Sequence, residues 1–67
     1  MIVLNGESAP FRAGETLEAV LASLGLTARS PGVAIAVDRE VVPRAEWETF
    51  TLADGARIEV LTAMQGG

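Results

Sequence analysis

At 67 residues the chain suits one small domain, and such a domain removes only roughly 60% of its unfolded surface from water, so its core must be efficient. Hydrophobic residues make up 49% of it, enough for a core without staples, and the lack of Cys and His excludes disulfides and thiolate or imidazole metal sites. A net charge of −4 argues against nucleic acid or an anionic membrane as partner and for a protein with a basic docking surface.

The same composition leaves little room for catalysis. Tyr and Lys are missing as well, all five cations being Arg, so the usual nucleophiles and neutral-pH acid/bases are nearly all absent. Ser8, Ser23 and Ser30 have no His or Lys to activate them and read as turn and surface residues. The Asp and Glu residues are scattered at turns and outward positions, a solvated acidic surface with no metal site. No stretch approaches the roughly 18–20 apolar residues of a membrane span, and no leader precedes the first strand, so a soluble cytoplasmic protein is expected.

In chain order, Met1–Leu4 is an apolar strand closed by Asn5-Gly6, the pair best suited to the positive φ values of a type I′ hairpin turn. Glu7–Arg12 should return antiparallel, with Pro10 tolerated only on an edge. Thr16 is positioned to cap a helix whose first turn holds Glu18. Leu17, Val20, Leu21 and Leu24 form one apolar stripe, and Gly25 followed by Leu26 should end the helix. After a loop over 27–32 comes Val33–Val37, β-branched at every odd position, with Ala34 and Ala36 on the opposite face. Asp38-Arg39-Glu40 turns into Val41-Val42, which Pro43 stops. Arg44–Phe50 reads as an irregular connection with a helical turn, in which Trp47, Phe50 and then Leu52 cover the core. Ala53-Asp54-Gly55 turns into a last strand, Ile58–Ala63, with Ile58 and Val60 inward. The expected organisation is a domain over 1–63 and a flexible tail of Met64, Gln65, Gly66 and Gly67.

A hairpin, a crossover helix and three further strands form an α+β fold of the ubiquitin-like β-grasp type, a mixed sheet of about four to five strands on one helix. In it the first and last strands lie parallel at the sheet centre, joined by right-handed crossovers. The tail then leaves the end of a central strand. Gly66 and Gly67 lack Cβ atoms, so they can thread a narrow channel and present a carboxylate to another protein's active site. With so little chemistry elsewhere, the reactive group is expected to be the terminus itself. On the sheet face away from the helix, Ala34 and Ala36, joined by Leu61, form a shallow apolar patch rimmed by Asp38 and Glu59, a candidate docking surface.

The Met1–Gly6 opening, Thr16-Leu17, Gly32–Val37, Val41-Val42-Pro43-Arg44, Trp47, Asp54-Gly55 and terminal Gly66-Gly67 together resemble the small sulfur-carrier proteins of bacterial thiamine biosynthesis. The resemblance spans essentially the whole chain. It implies a protein co-substrate and no enzyme: a partner adenylating enzyme would use ATP to activate Gly67. A sulfur donor fed by a cysteine desulfurase would then leave a thiocarboxylate, and thiazole synthase would consume it. No bound cofactor is implied. A carrier for another pathway, such as the molybdopterin type, and a β-grasp interaction module with an inert tail are the alternatives.

Overall fold

Asn5 and Gly6 take φ values of 49° and 83°, and the two-residue turn they make folds β1 (Ile2–Leu4) back onto β2 (Glu7–Ala9). The computed structural model describes residues 1–62 of the chain. β2 ends at Ala9, short of the expected Arg12, since Pro10 has no amide with which to continue the ladder. On β1, Ile2 turns inward and is buried.

The helix α1 runs Leu17–Ser23, with Thr16 at its N-cap accepting from the Ala19 amide at 3.3 Å. Two further donors of the first turn are satisfied from outside the helix: Leu17 N–H donates to the Phe50 carbonyl at 2.8 Å and Glu18 N–H to that of Trp47 at 3.0 Å. The N-terminus of α1 is thereby stitched to the connection before the last strand. At the other end, Gly25 (φ 78°) donates to the Ala22 carbonyl and Leu26 to that of Leu21, the paired bonds of a Schellman closure. Leu17, Val20 and Leu21 are buried, each worth roughly 1.5–3 kcal/mol on transfer from water. Leu24 is not buried as its place in the stripe suggests. It falls on the C-cap, 46% exposed, and Leu26 packs on the core after the turn instead.

β3 (Val33–Val37) and β4 (Glu40–Val42) form a second hairpin, followed by a 3₁₀ turn over Arg44–Glu46 and then β5 (Arg57–Thr62). The sheet order is β2-β1-β5-β3-β4, with β1 and β5 parallel and the other pairs antiparallel. This is the β-grasp arrangement, with all five strands in one sheet. β5 begins one residue earlier than the hydrophobic pattern indicated, because Arg57 already pairs with Val3. The junction at Ala63 and the tail Met64–Gly67 lie outside the described residues.

The connection between β4 and β5 closes the core. Trp47 is 1% exposed, and its Nε1–H donates to the Val42 carbonyl at 2.8 Å, so its polar atom is satisfied within the core. Leu52 and Ala56 are buried beside it, while Phe50 packs half-buried against the cluster.

Candidate functional site at the end of the central strand

β5 is the spine of the sheet, and its backbone is held on both flanks. Toward β3 the register runs without a break from Val37↔Ile58 to Val33↔Thr62. Toward β1 it covers Val3↔Arg57 and Leu4↔Ile58, with Val3 N–H and Asn5 N–H donating to the Ala56 and Ile58 carbonyls at 2.9 Å each.

Two turn residues complete the grip. Asn5 Oδ1 accepts from the Val60 amide at 2.8 Å, past the point where β1 has ended. Asp38 Oδ1 accepts from the Arg57 amide at 3.0 Å, and Asp38 N–H donates to the Arg57 carbonyl at 2.8 Å. Asp38 and Arg39 have φ values of 50° and 71°, a left-handed pair matching Asn5-Gly6 at the other turn. Each two-residue turn thus lends the side chain of its first residue to β5. The last described strand is a braced element, and in the sequence it is followed by residues 63–67 (Ala63, Met64, Gln65, Gly66 and Gly67).

The proposed docking residues are brought together on the sheet face away from α1. Ala34 faces Leu61 across the β3–β5 pair, and Ala36 faces both Glu59 on β5 and Val41 on β4. Ala34 is exposed, Leu61 is 51% exposed and Glu59 is exposed at the rim with Asp38. Ala36 departs from expectation: at 6% exposure it is covered, although it stands outside the main core cluster. Its directly opposed neighbours, Glu59 and Val41, are both larger and close over its small methyl. The accessible apolar surface is therefore Ala34, Leu61 and Val41, the last 69% exposed. A hollow of about 360 Å³ lined by Gly32, Val33, Ala34, Arg44, Leu61 and Thr62 opens beside it, next to the outgoing chain.

Several contacts along β5 and beside it were missed in the sequence. The capping roles of Asn5 and Asp38 depend on which strand the fold lays beside each turn. Arg44 read as part of a motif without a role. Its Nη1 and Nη2 donate to the carbonyls of Ala28 and Val33 at 2.7 and 2.8 Å, pinning the loop that walls the hollow. At the opposite pole of β5, the Met1 ammonium pairs with Asp54 and holds its carboxyl below the ordinary 3.8. Among the described residues no cluster of three or more metal-ligating side chains occurs, and no helix is long and apolar enough to cross a membrane.

A single helix across a five-stranded mixed sheet, with parallel first and last strands at its middle, defines a ubiquitin-like β-grasp protein. Residues 2–67 match the ThiS family, and the chain belongs to that family. It is 39% identical over its full length, and the full length of that protein, to the sulfur carrier protein ThiS of Thermus thermophilus. It is 30% identical to the sulfur carrier protein ThiS of Escherichia coli, with 98% of this chain and 97% of that protein covered. A thiazole synthase of Paramagnetospirillum magneticum is 35% identical over 66 residues, and there the chain spans only 20% of the longer protein. The crystal structure of the thiamine biosynthesis protein ThiS from Geobacter metallireducens superposes with a TM-score of 0.76 at 25% identity, covering 98% of this chain and 97% of that one.

Proposed function

We propose that the protein is the sulfur carrier of thiazole formation in thiamine biosynthesis, with Gly67 as the group that is chemically changed. The observation that carries this reading is the match of residues 2–67 to the ThiS family, running through β5 to the final Gly66-Gly67. Two sulfur carrier proteins similar over nearly their whole lengths support it.

The chemistry follows from the terminus. An α-carboxylate with an ordinary pKa of about 3.3–3.7 is anionic at neutral pH and a poor electrophile. Attack of the Gly67 carboxylate on the α-phosphate of ATP, with loss of pyrophosphate, gives an acyl-adenylate. The terminal sulfur of a persulfide, supplied through a cysteine desulfurase, then adds to the carbonyl carbon and AMP departs. A second thiol cleaves the resulting S–S bond and leaves the thiocarboxylate. ATP belongs to the adenylating enzyme, and this chain contributes a substrate carboxylate and no catalytic side chain. Met64, Gln65 and Gly66 supply reach. Thiazole synthase then takes the sulfur. The segment similar to this chain within a thiazole synthase supports that partnership, because two units joined in one polypeptide meet at high effective concentration.

Ala34, Ala36, Glu59 and Leu61 mark the proposed docking face, with Ala34, Leu61 and the neighbouring Val41 as its accessible apolar part. The site of action is the cytoplasm, where ATP and persulfide donors are available. The test is incubation with the adenylating enzyme, ATP and a persulfide donor, followed by intact mass. Replacement of one oxygen by sulfur at Gly67 is expected. Absence of both pyrophosphate exchange and the mass change would overturn the reading and favour an interaction module with an inert tail.

A further inference from the structure

The two flanks of β5 end at different places. On the β3 side pairing continues to Thr62, whereas on the β1 side strand pairing ends at Ile58. Beyond it only the side chain of Asn5 reaches across, to the Val60 amide. The bonds of Val3 and Asn5 to the carbonyls of Ala56 and Ile58 show that the even-numbered residues aim their main-chain groups toward β1. By the same alternation, Val60 C=O and Thr62 N–H point that way, past the Asn5-Gly6 turn. Val33↔Thr62 is then a pair without its own hydrogen bonds, so β3 leaves the Thr62 amide unused. Neither group has a partner among the described residues. A hollow of about 330 Å³ lined by Val3, Asn5, Gly6, Arg57, Ile58 and Glu59 lies over the paired part of β1 and β5 and stops short of this edge. Five residues of chain follow, ending in Gly66-Gly67.

We infer that this uncovered edge is a strand-addition site: an extended segment of the enzyme that activates the terminus pairs with Val60 C=O and Thr62 N–H, taking the place in the sheet that β1 vacates. The inference rests on the carrier reading above. An enzyme that draws in a C-terminal glycine must hold the chain before it extended, and main-chain pairing does this without depending on the side chains it meets. Within the described residues the row offers only one acceptor and one donor. It is too short to promote pairing between copies of the chain. It becomes useful where a partner strand continues along the residues that follow. The Asn5 cap sets where the added strand must start, because it already occupies the Val60 amide.

Hydrogen exchange on the full chain, free and in complex with the adenylating enzyme and ATP, tests the inference. The Val60 amide is expected to be protected in both states, and the Thr62 amide to exchange fast when free and at least about tenfold more slowly in the complex. Thr62→Pro deletes the outward donor without taking a bond from β3, so it should melt close to Thr62→Val. It should bind the enzyme about fivefold more weakly than Thr62→Val, the loss of one net hydrogen bond. Unchanged exchange at Thr62 in a complex that forms adenylate would overturn strand addition and leave the carrier function standing. Equal affinities of folded Thr62→Pro and Thr62→Val would do the same. Failure of the unaltered chain to form adenylate at all would overturn both.

Discussion

The guanidinium of Arg44 lies 5.2 Å from the centre of the Trp47 ring while donating to the carbonyls of Ala28 and Val33. One side chain therefore joins the loop before β3, the start of β3 and the buried aromatic that closes the core. A lysine can supply the charge but not the planar fork that reaches two carbonyls and stacks on the ring. Arg44→Lys is expected to destabilise the domain by about 2 kcal/mol, of the order of one charge-assisted hydrogen bond and part of the stacking. Urea denaturation checks this, and a variant as stable as the parent would show that the clamp is redundant.

Asn5 has two separable duties: a left-handed backbone at φ 49° and the cap on Val60. Asn5→Gly keeps the first and loses the second, for an expected cost of about 1 kcal/mol. Asn5→Ala loses both, and the strain of a Cβ in the left-handed region raises the cost to about 2 kcal/mol. Equal losses for the two variants, measured in the same denaturant series, would remove the turn conformation from the account.

Much of this architecture is legible locally because the signals are local. Asn5-Gly6 specifies its turn through the φ values it tolerates, Thr16 and Gly25 bracket the helix through caps, and Val33–Val37 alternates with the period of a strand. What stayed hidden depends on neighbours distant in sequence. Leu24 fits the helical stripe, yet the Gly25 turn stops the helix and hands its place in the core to Leu26. Ala36 has the parity of a surface residue and is nevertheless covered, because Val41 and Glu59 arrive beside it from two other strands. The apolar patch was thus placed on the sheet face where the structure has it, but centred on a residue that is covered.

That correction decides how docking should be probed. Ala36→Arg would have to displace Glu59 and Val41, so lost binding could not be separated from a disturbed sheet. Ala34→Arg and Leu61→Arg alter exposed positions and should leave the melting temperature nearly unchanged. Each is expected to weaken binding to the adenylating enzyme about tenfold or more, by placing charge in an apolar centre and opposing a basic rim. Native affinity in both variants would move the docking surface off this face.

The Asp54 carboxyl is held below its ordinary 3.8 by the hydrogen bond from, and the charge of, the Met1 ammonium. A folded-state value depressed below the unfolded one contributes stability above about pH 3.8 and loses it as the pH falls through the lower value. Because the pair is exposed, salt screens it. Asp54→Asn and acetylation of Met1 should each flatten the acid limb of the melting curve below that pH at low ionic strength. The differences should vanish near 1 M salt, where the screening length is about 3 Å. An acid limb unchanged by either modification at low salt would mean that the pair does not form in solution.

The tail supplies the most direct test of the proposed chemistry. Among the described residues the buried ones lie between Ile2 and Ile58, and substitutions at 65 and 66 are expected to leave the melting temperature unmoved. Gln65→Ala shortens a side chain, whereas Gly66→Val adds a β-branched one immediately before the reacting carboxylate. If the glycine is there for clearance and conformational range, Gly66→Val should cut the rate of adenylation at least about a hundredfold and Gln65→Ala only a few-fold. Pyrophosphate exchange with the adenylating enzyme reads both rates directly. Comparable rates for the two variants would mean that the channel tolerates bulk at this position, and the constraint would then fall on Gly67 alone.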